Sequence, residues 1–230
     1  MKENLDLKVI ARISSGFTEK FGIPRQSGLA DTKAEIVFEP EYRNVDALRG
    51  IEGYTHLWLI WGFSMVQEGK WHPTVRPPRL GGNKRMGVFA TRSPFRPNPI
   101  GLSSVKLLEV CKTEDRGVIL IVSGADLMNG TPIYDIKPYL PYVDCHTDAV
   151  GGFTEETKAY ELCVQWEAPF PYGEEKKQDL IQILKQDPRP SYQEDADRIY
   201  GMKYDGIEIK FRVEQKKLIV LKAELQRGKQ

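Results

Sequence analysis

The sequence predicts a mainly β fold, α+β overall, and three observations carry that prediction. Seven or so short apolar or alternating stretches occupy the first 140 residues, with barely one helical pattern between them. Such spacing points to an antiparallel sheet or small barrel. One amphipathic stretch and two alternating ones then follow, which makes residues 147–230 a small α+β unit after a β unit spanning 1–146. Finally, no two glycines are separated by a single residue, so G-x-G is absent. With no βα alternation either, the fold is not a Rossmann one.

Each element follows from local pattern. LDLKVIARI (5–13) alternates and reads as the first strand; a loop over 14–28 follows, punctuated by Pro24 and three glycines. AEIVFE (34–39) is a short strand, and residues 42–54 suggest a brief helix stopped at Gly53. The near-continuous apolar run from His56 to Phe63 predicts a strand buried on both faces. Further strands are expected over 86–91, 102–110, 117–123 and 131–137. Residues 144–156, with Gly151-Gly152, read as a linker. A strand over 158–167, a helix over 174–186 ended by Asp187-Pro-Arg-Pro190, and a hairpin pairing 207–213 with 218–225 complete the chain.

Composition sets the setting. Forty percent apolar residues with no extended apolar run describe a soluble globular protein with no membrane span. The N-terminal MKENLDLKVIARI lacks a signal-peptide core, so a cytoplasmic location is expected. Cys111, Cys145 and Cys163 show no CxxC spacing and read as reduced thiols. The net charge of +1 conceals an asymmetry. Residues 69–108 hold eight Lys and Arg, no Asp or Glu, and six of the fifteen prolines. Against the remaining 25 basic residues stand all 32 acidic ones. A localised basic surface on an acidic body suits an anionic partner.

Several chemistries lack their signatures. GGNKRMG resembles a phosphate loop in composition but does not meet GxxxxGK[ST]; GxSxG is absent. His56, His72 and His146 have no metal-ligand spacing, so no metal is expected. His56, beside the apolar run, reads as a hydrogen-bonded core histidine, and Trp58, Trp61 and Trp71 as core residues. Two segments attract attention. In GVFATRSPFRPNPIG (87–101), prolines 94, 97 and 99 stiffen a loop carrying Arg92 and Arg96. It is either a preorganised cradle for phosphate, carboxylate or a cofactor, or a rigid connection whose arginines pair with nearby acids. In GADLMNGTP (124–132), Asp126 and Asn129-Gly130 are either turn formers or, in Asp126, a carboxylate for ribose hydroxyls or a cofactor amino group.

Taken together, PRQSG (24–28), RGIEGYTHLW (49–58), the block WHPTVRPPRLGGNKRMGVFATRSPFRPNPIGLS (71–103), DLMNGTPIYDIKPYLPY (126–142) and QDPRPSY (186–192) resemble the TsaA-like (TrmO/VirR-type) tRNA methyltransferases. The likeness spans almost the whole chain. It implies a single-sheeted antiparallel β-barrel that binds S-adenosylmethionine, a small C-terminal domain, and a homodimer. The implied substrate is N6 of threonylcarbamoyladenosine beside the anticodon of threonine tRNA. By motif, the cofactor pocket would use Gln26, Ser27, Gly28, Ser64, Met65, Arg92, Leu102 and the turn Ala125, Asp126, Leu127, Met128. Arg76, Arg79, Lys84, Arg85 and Arg189 would face the anticodon loop of the RNA. Methylating an adenine N6 requires loss of its proton; Asp126 and Asp135 are the carboxylates offered for that role, and no catalytic residue is assigned. The alternatives are a non-catalytic RNA-binding barrel and a methyltransferase acting on a small molecule.

Overall fold

In the computed structural model, which describes residues 6–66, 71–80, 84–156, 158, 160–189 and 195–226, alternating apolar residues build one large sheet. β1 (Ala11–Ser15) and β2 (Lys33–Phe38) bury every second side chain. Of the first strand expected over 5–13, residue 5 lies outside the described residues; of the rest, 11–13 enter the ladder, which continues instead to Ser15. Between β2 and the next strand, the helix expected over 42–54 is replaced by three 3-10 turns, Pro40–Tyr42, Val45–Leu48 and Ile51–Gly53. Gly50, in the left-handed region at φ 87°, breaks the run before it can become α-helical.

β3 (His56–Gly62) buries Leu57, Leu59 and Trp61 while Trp58 and Ile60 stay half-buried. The expectation of a strand covered on both faces is therefore corrected. Its outer face is only partly covered; Trp58 is sheltered there by the 139–144 segment, packing against Tyr139 and donating from Nε1 to Asp144 Oδ2 at 3.0 Å. His56 is exposed rather than core, with Nδ1 3.0 Å from Thr55 Oγ1.

β4 (Thr74–Val75) and β5 (Met86–Gly87) form a two-residue ribbon. The strand expected over 86–91 stops at Gly87, because Val88–Ala90 turns as a 3-10 helix that buries Val88. β6 (Ile100–Thr113), β7 (Gly117–Ser123) and β8 (Pro132–Pro138) complete the large sheet. Its order is β1-β2-β7-β6-β3-β8, all antiparallel, and β8 pairs back onto β1 at Ala11–Ile133, closing the sheet. Ile13, Ile36, Leu57, Leu59, Val105, Leu120, Val122 and Ile133 fill its interior.

A short helix α1 (Pro141–Asp144) leads away. The rest is β9 (Cys163–Trp166), α2 (Glu174–Lys185), β10 (Tyr200–Tyr204), β11 (Ile207–Glu214) and β12 (Lys217–Leu225). The four strands form a second sheet, β10-β11-β12-β9, with β9 parallel to β12. α2 packs Leu180, Ile183 and Leu184 into a second core.

That core draws on the β1–β2 loop as well. Phe17 and Ala30 are buried in it, and the Phe17 ring lies 5.0 Å from that of Tyr204. Asp205 N–H donates to the Gly16 carbonyl at 2.8 Å. Residues 16–30 thus leave the closed sheet, pack against the second, and return. Among the described residues, no helix is long and apolar enough to cross a membrane.

Candidate functional site

The returning end of that loop meets the rim of the closed sheet. Gly28 N–H donates to the Gly124 carbonyl at 2.9 Å, and Gly124 N–H to Thr32 at 3.2 Å. Both glycines have positive φ, which L side chains rarely adopt, and a Cβ at Gly124 would stand 3.3 Å from Gly28 Cα, so the close approach itself favours a bare backbone at Gly124. A Cβ at Gly28 would instead stand in open space. Ser104 N–H donates to Ser27 Oγ at 3.2 Å, and Arg92 Nη1 donates to Gln26 Oε1 at 2.5 Å. PRQSG, the 91–99 loop, the start of β6 and the turn after β7 therefore converge on one rim.

Behind this rim lies a buried polar relay. Trp61 Nε1 donates to Ser103 Oγ at 3.0 Å, and Ser103 Oγ donates to Asp126 Oδ1 at 2.5 Å. Gly101 makes it possible: it lies opposite Trp61 across the β3–β6 ladder, and any Cβ there would overlap the indole. Burial raises the Asp126 carboxyl above the ordinary aspartate range. The Ser103 hydroxyl, backbone N–H groups of Asp126 and Ser27, and the charge of Arg92 oppose that rise without cancelling it.

The 91–99 loop divides its two arginines. Arg96 donates to the carbonyls of Ser93 (2.9 Å), Val88 (3.1 Å) and Thr91 (2.6 Å). Its guanidinium staples the loop and is not offered to an anion there. Arg92 is exposed and remains available beside Gln26.

Other expected residues fall into place differently. Leu102 is half exposed on the rim, next to Ser103. Ala125 and Leu127 have buried side chains and present only backbone, whereas Met128 is half-buried. Ser64 and Met65 follow β3 and are exposed, Met65 at 61%, with no hydrogen bond joining Ser64 to the rim among the described residues. Asp135 does not join the relay: it pairs with Ile60 on the outer face and bonds Lys137 at 2.9 Å.

Of the basic set, Arg76, Lys84 and Arg85 are exposed, and Arg85 Nη1 reaches Thr74 Oγ1 at 3.3 Å. The side chain of Arg79 lies outside the described residues. Arg189 is a correction. It is 8% exposed, its Nε and Nη2 each lie 2.9 Å from the Asp187 carboxylate, and it rests over the Tyr200 ring. A guanidinium so enclosed is not presented to a polyanion. Trp71, expected in the core, is exposed, as are Phe89 (76%) and Phe95, so the basic face is also aromatic. Among the described residues, no group of His, Cys, Asp or Glu is placed to hold a metal.

Ser103, Ser104 and Trp61 are the site residues that pattern reading missed. The alternation of β6 is the signal that would have turned Ser103 inward beside Val105.

Comparison with known proteins gives this arrangement a context. The sequence model of the tRNA-methyltransferase O N-terminal domain matches residues 12–145, and that of the TrmO C-terminal domain matches 156–226. An Escherichia coli K12 protein named tRNA (adenine(37)-N6)-methyltransferase is 43% identical over 220 residues, covering 89% of this chain and 91% of the relative. A Pseudomonas aeruginosa relative, named provisionally as an S-adenosylmethionine-dependent methyltransferase, is 38% identical over 221 residues, 91% of this chain and 93% of its own. A crystal structure of TrmO from P. aeruginosa superposes with a TM-score of 0.76 at 32% identity, covering 98% of this chain and 99% of the other. With both sequence models matched in order and the fold shared end to end, the chain belongs to the tRNA-methyltransferase O family.

Proposed function

We propose that the protein is an S-adenosylmethionine-dependent tRNA methyltransferase acting on N6 of threonylcarbamoyladenosine, beside the anticodon of threonine tRNA. The observation that carries this reading is the 43% identity, over 89% of the chain, to a relative named for methylating N6 of the adenine at position 37.

The donor set at the rim fits the cofactor. An amino-acid nucleoside presents a carboxylate, hydroxyls, an amino group and a flat apolar base. Arg92 offers a cation, Asp126 and Gln26 offer acceptors, and Leu102 and Met65 offer exposed apolar surface. Open space at Gly28 leaves backbone accessible. We assign cofactor contacts to Gln26, Ser27, Gly28, Ser64, Met65, Arg92, Leu102, Asp126 and Met128, with Ala125 and Leu127 taking part through backbone. When bound, S-adenosylmethionine supplies a methyl group activated by its sulfonium. The work left to the protein is to hold the acceptor amine in line with it, an orientation effect that itself supplies much of the acceleration.

Arg76, Arg79, Lys84 and Arg85 are assigned to RNA phosphates, with splayed loop bases as the specific element. The chain is read as a cytoplasmic homodimer whose residues 1–146 carry the cofactor site and whose residues 147–230 form the C-terminal unit.

Titration calorimetry with S-adenosylmethionine tests the first half. Wild type is expected to bind, and Arg92→Ala to bind about tenfold more weakly, the effect of losing one charged hydrogen-bond donor. Absence of binding to wild type would remove the proposal. For the second half, threonine tRNA bearing threonylcarbamoyladenosine is incubated with protein and cofactor, digested, and weighed by mass spectrometry. The modified nucleoside should gain one methyl; an unchanged mass would reject this substrate.

A further inference from the structure

The loop that carries Gln26, Ser27 and Gly28 is held from two sides. The closed sheet supplies Arg92, Ser104 N–H and the Gly124 carbonyl. On the other side, Arg25 Nη2 donates to the carbonyls of Asp187 at 3.3 Å and Arg189 at 3.0 Å.

The turn that offers those carbonyls is unusually constrained. Asp187 sits at φ 49°, a left-handed conformation that costs a non-glycine residue about 1 kcal/mol or more. Its carboxylate accepts both Arg189 bonds at 2.9 Å, the Arg189 backbone N–H at 3.3 Å and the Tyr160 hydroxyl at 3.0 Å. Burial pushes the Asp187 carboxyl up, but the bonds and charge of Arg189, with the Tyr160 bond, bring it below the usual range, so the pair stays ionised. Strained backbone persists only where its surroundings over-determine it. Here the bracing fixes the direction of two carbonyls, and both are spent on Arg25. A planar guanidinium can satisfy two acceptors at a set angle, which an ammonium cannot do as rigidly.

We infer that Arg25 and the Asp187–Arg189 turn form a positioning device, through which the C-terminal unit sets the stand of Gln26, Ser27 and Gly28 against the rim. This rests on the assignment of that loop to S-adenosylmethionine. Arg25 is a positioning residue: it acts through its neighbours in sequence, not on reacting atoms. Arg189, a surface cation by sequence, becomes the brace of the device.

The test uses the full chain with Arg25→Ala, Arg25→Lys and Asp187→Asn. Arg25→Ala is expected to raise the Kd and KM for S-adenosylmethionine about tenfold, a typical coupling between linked sites. Its kcat at saturating cofactor should stay within about twofold, since interactions at the reacting atoms are untouched. Arg25→Lys should fall between it and wild type, and Asp187→Asn should move in the same direction. A role confined to stability would lower the melting temperature and the active fraction while leaving Kd and KM unchanged.

Hydrogen exchange of the ligand-free protein gives a second readout. The Gly28 amide, protected by its bond to Gly124, should exchange about tenfold faster in Arg25→Ala, as local opening predicts. Wild-type affinity together with wild-type exchange at Gly28 would overturn the inference. If wild type itself does not bind S-adenosylmethionine, the cofactor reading fails instead, and Gly28 exchange alone decides whether Arg25 holds the loop. Should Arg25→Ala not fold, the same two measurements on Arg25→Lys decide.

Discussion

Asp126 is held where its charge is disfavoured. Burial raises its carboxyl, and Ser103, two backbone N–H groups and Arg92 recover only part of the loss. The folded state therefore binds this proton more tightly than the unfolded chain does. Its contribution to stability is greatest below about pH 4, the ordinary aspartate range, and is lost as pH rises through the raised value. Asp126→Asn should accordingly melt progressively higher relative to wild type as pH is raised from about 4 to 8 in calorimetric scans. The same variant should bind S-adenosylmethionine about tenfold more weakly, having lost a charged acceptor. Gly101→Ala should act oppositely, lowering stability by about 1–3 kcal/mol in chemical denaturation, because a methyl must displace the Trp61 indole. The sequence marks Asp126 and Arg92 because both sit among turn residues where a charged side chain invites explanation. Ser103 and Ser104 pass as ordinary strand residues, since only strand register reveals which hydroxyl meets a carboxylate. Arg189 misleads for a related reason: charge is visible in a sequence, whereas the bonds that consume it depend on a φ of 49° at Asp187.

At the scale of elements, the stretch over 69–108 resolves into two pieces. The β4–β5 ribbon gathers Arg76, Lys84 and Arg85 beside exposed Trp71 and Phe89. The 91–99 loop, stapled by Arg96, presents Arg92 to the rim. Reversing charge at the first piece, with Arg76→Glu, Lys84→Glu and Arg85→Glu together, should abolish measurable tRNA binding at about 150 mM salt. S-adenosylmethionine affinity should remain within about twofold of wild type, as expected for sites without shared partners. Equal loss of both in paired filter-binding and calorimetric titrations would show the pieces to be one site. Strands with clear alternation, β2 and β11, or with a strong apolar run, β7 and β12, are legible to within a residue or two. β5 was not, because Val88–Ala90 turns to let Arg96 reach the Val88 and Thr91 carbonyls. β10 had a usable signal in Asp205-Gly206, both at positive φ, a strong hairpin dipeptide that separates it from β11.

Across the whole molecule, the β1–β2 loop ties the two cores together. Phe17 leaves β1 and is 1% exposed inside the second core, while Gly28, eleven positions on, is bonded at the rim of the first sheet. Phe17→Ala should cost about 3–5 kcal/mol, the range for emptying a buried aromatic site. Because the loop returns to the rim, its loosening should also weaken S-adenosylmethionine binding, and calorimetric unfolding of the variant should split into two transitions. A single unshifted transition would show the loop to be a passive tether. Sequence reading placed residues 14–28 with the β unit by continuity, since nothing local to Phe17 says which of two interiors it enters. Closure of the first sheet also decides where this chain is open to backbone pairing. With β8 bonded to β1, that sheet presents no free edge among the described residues. The second sheet ends at β10 on one side and β9 on the other. Strand addition by an extended peptide, or cross-β aggregation of a heat-loosened chain, would therefore begin on an edge of the C-terminal sheet or of the short β4–β5 ribbon rather than on the closed sheet.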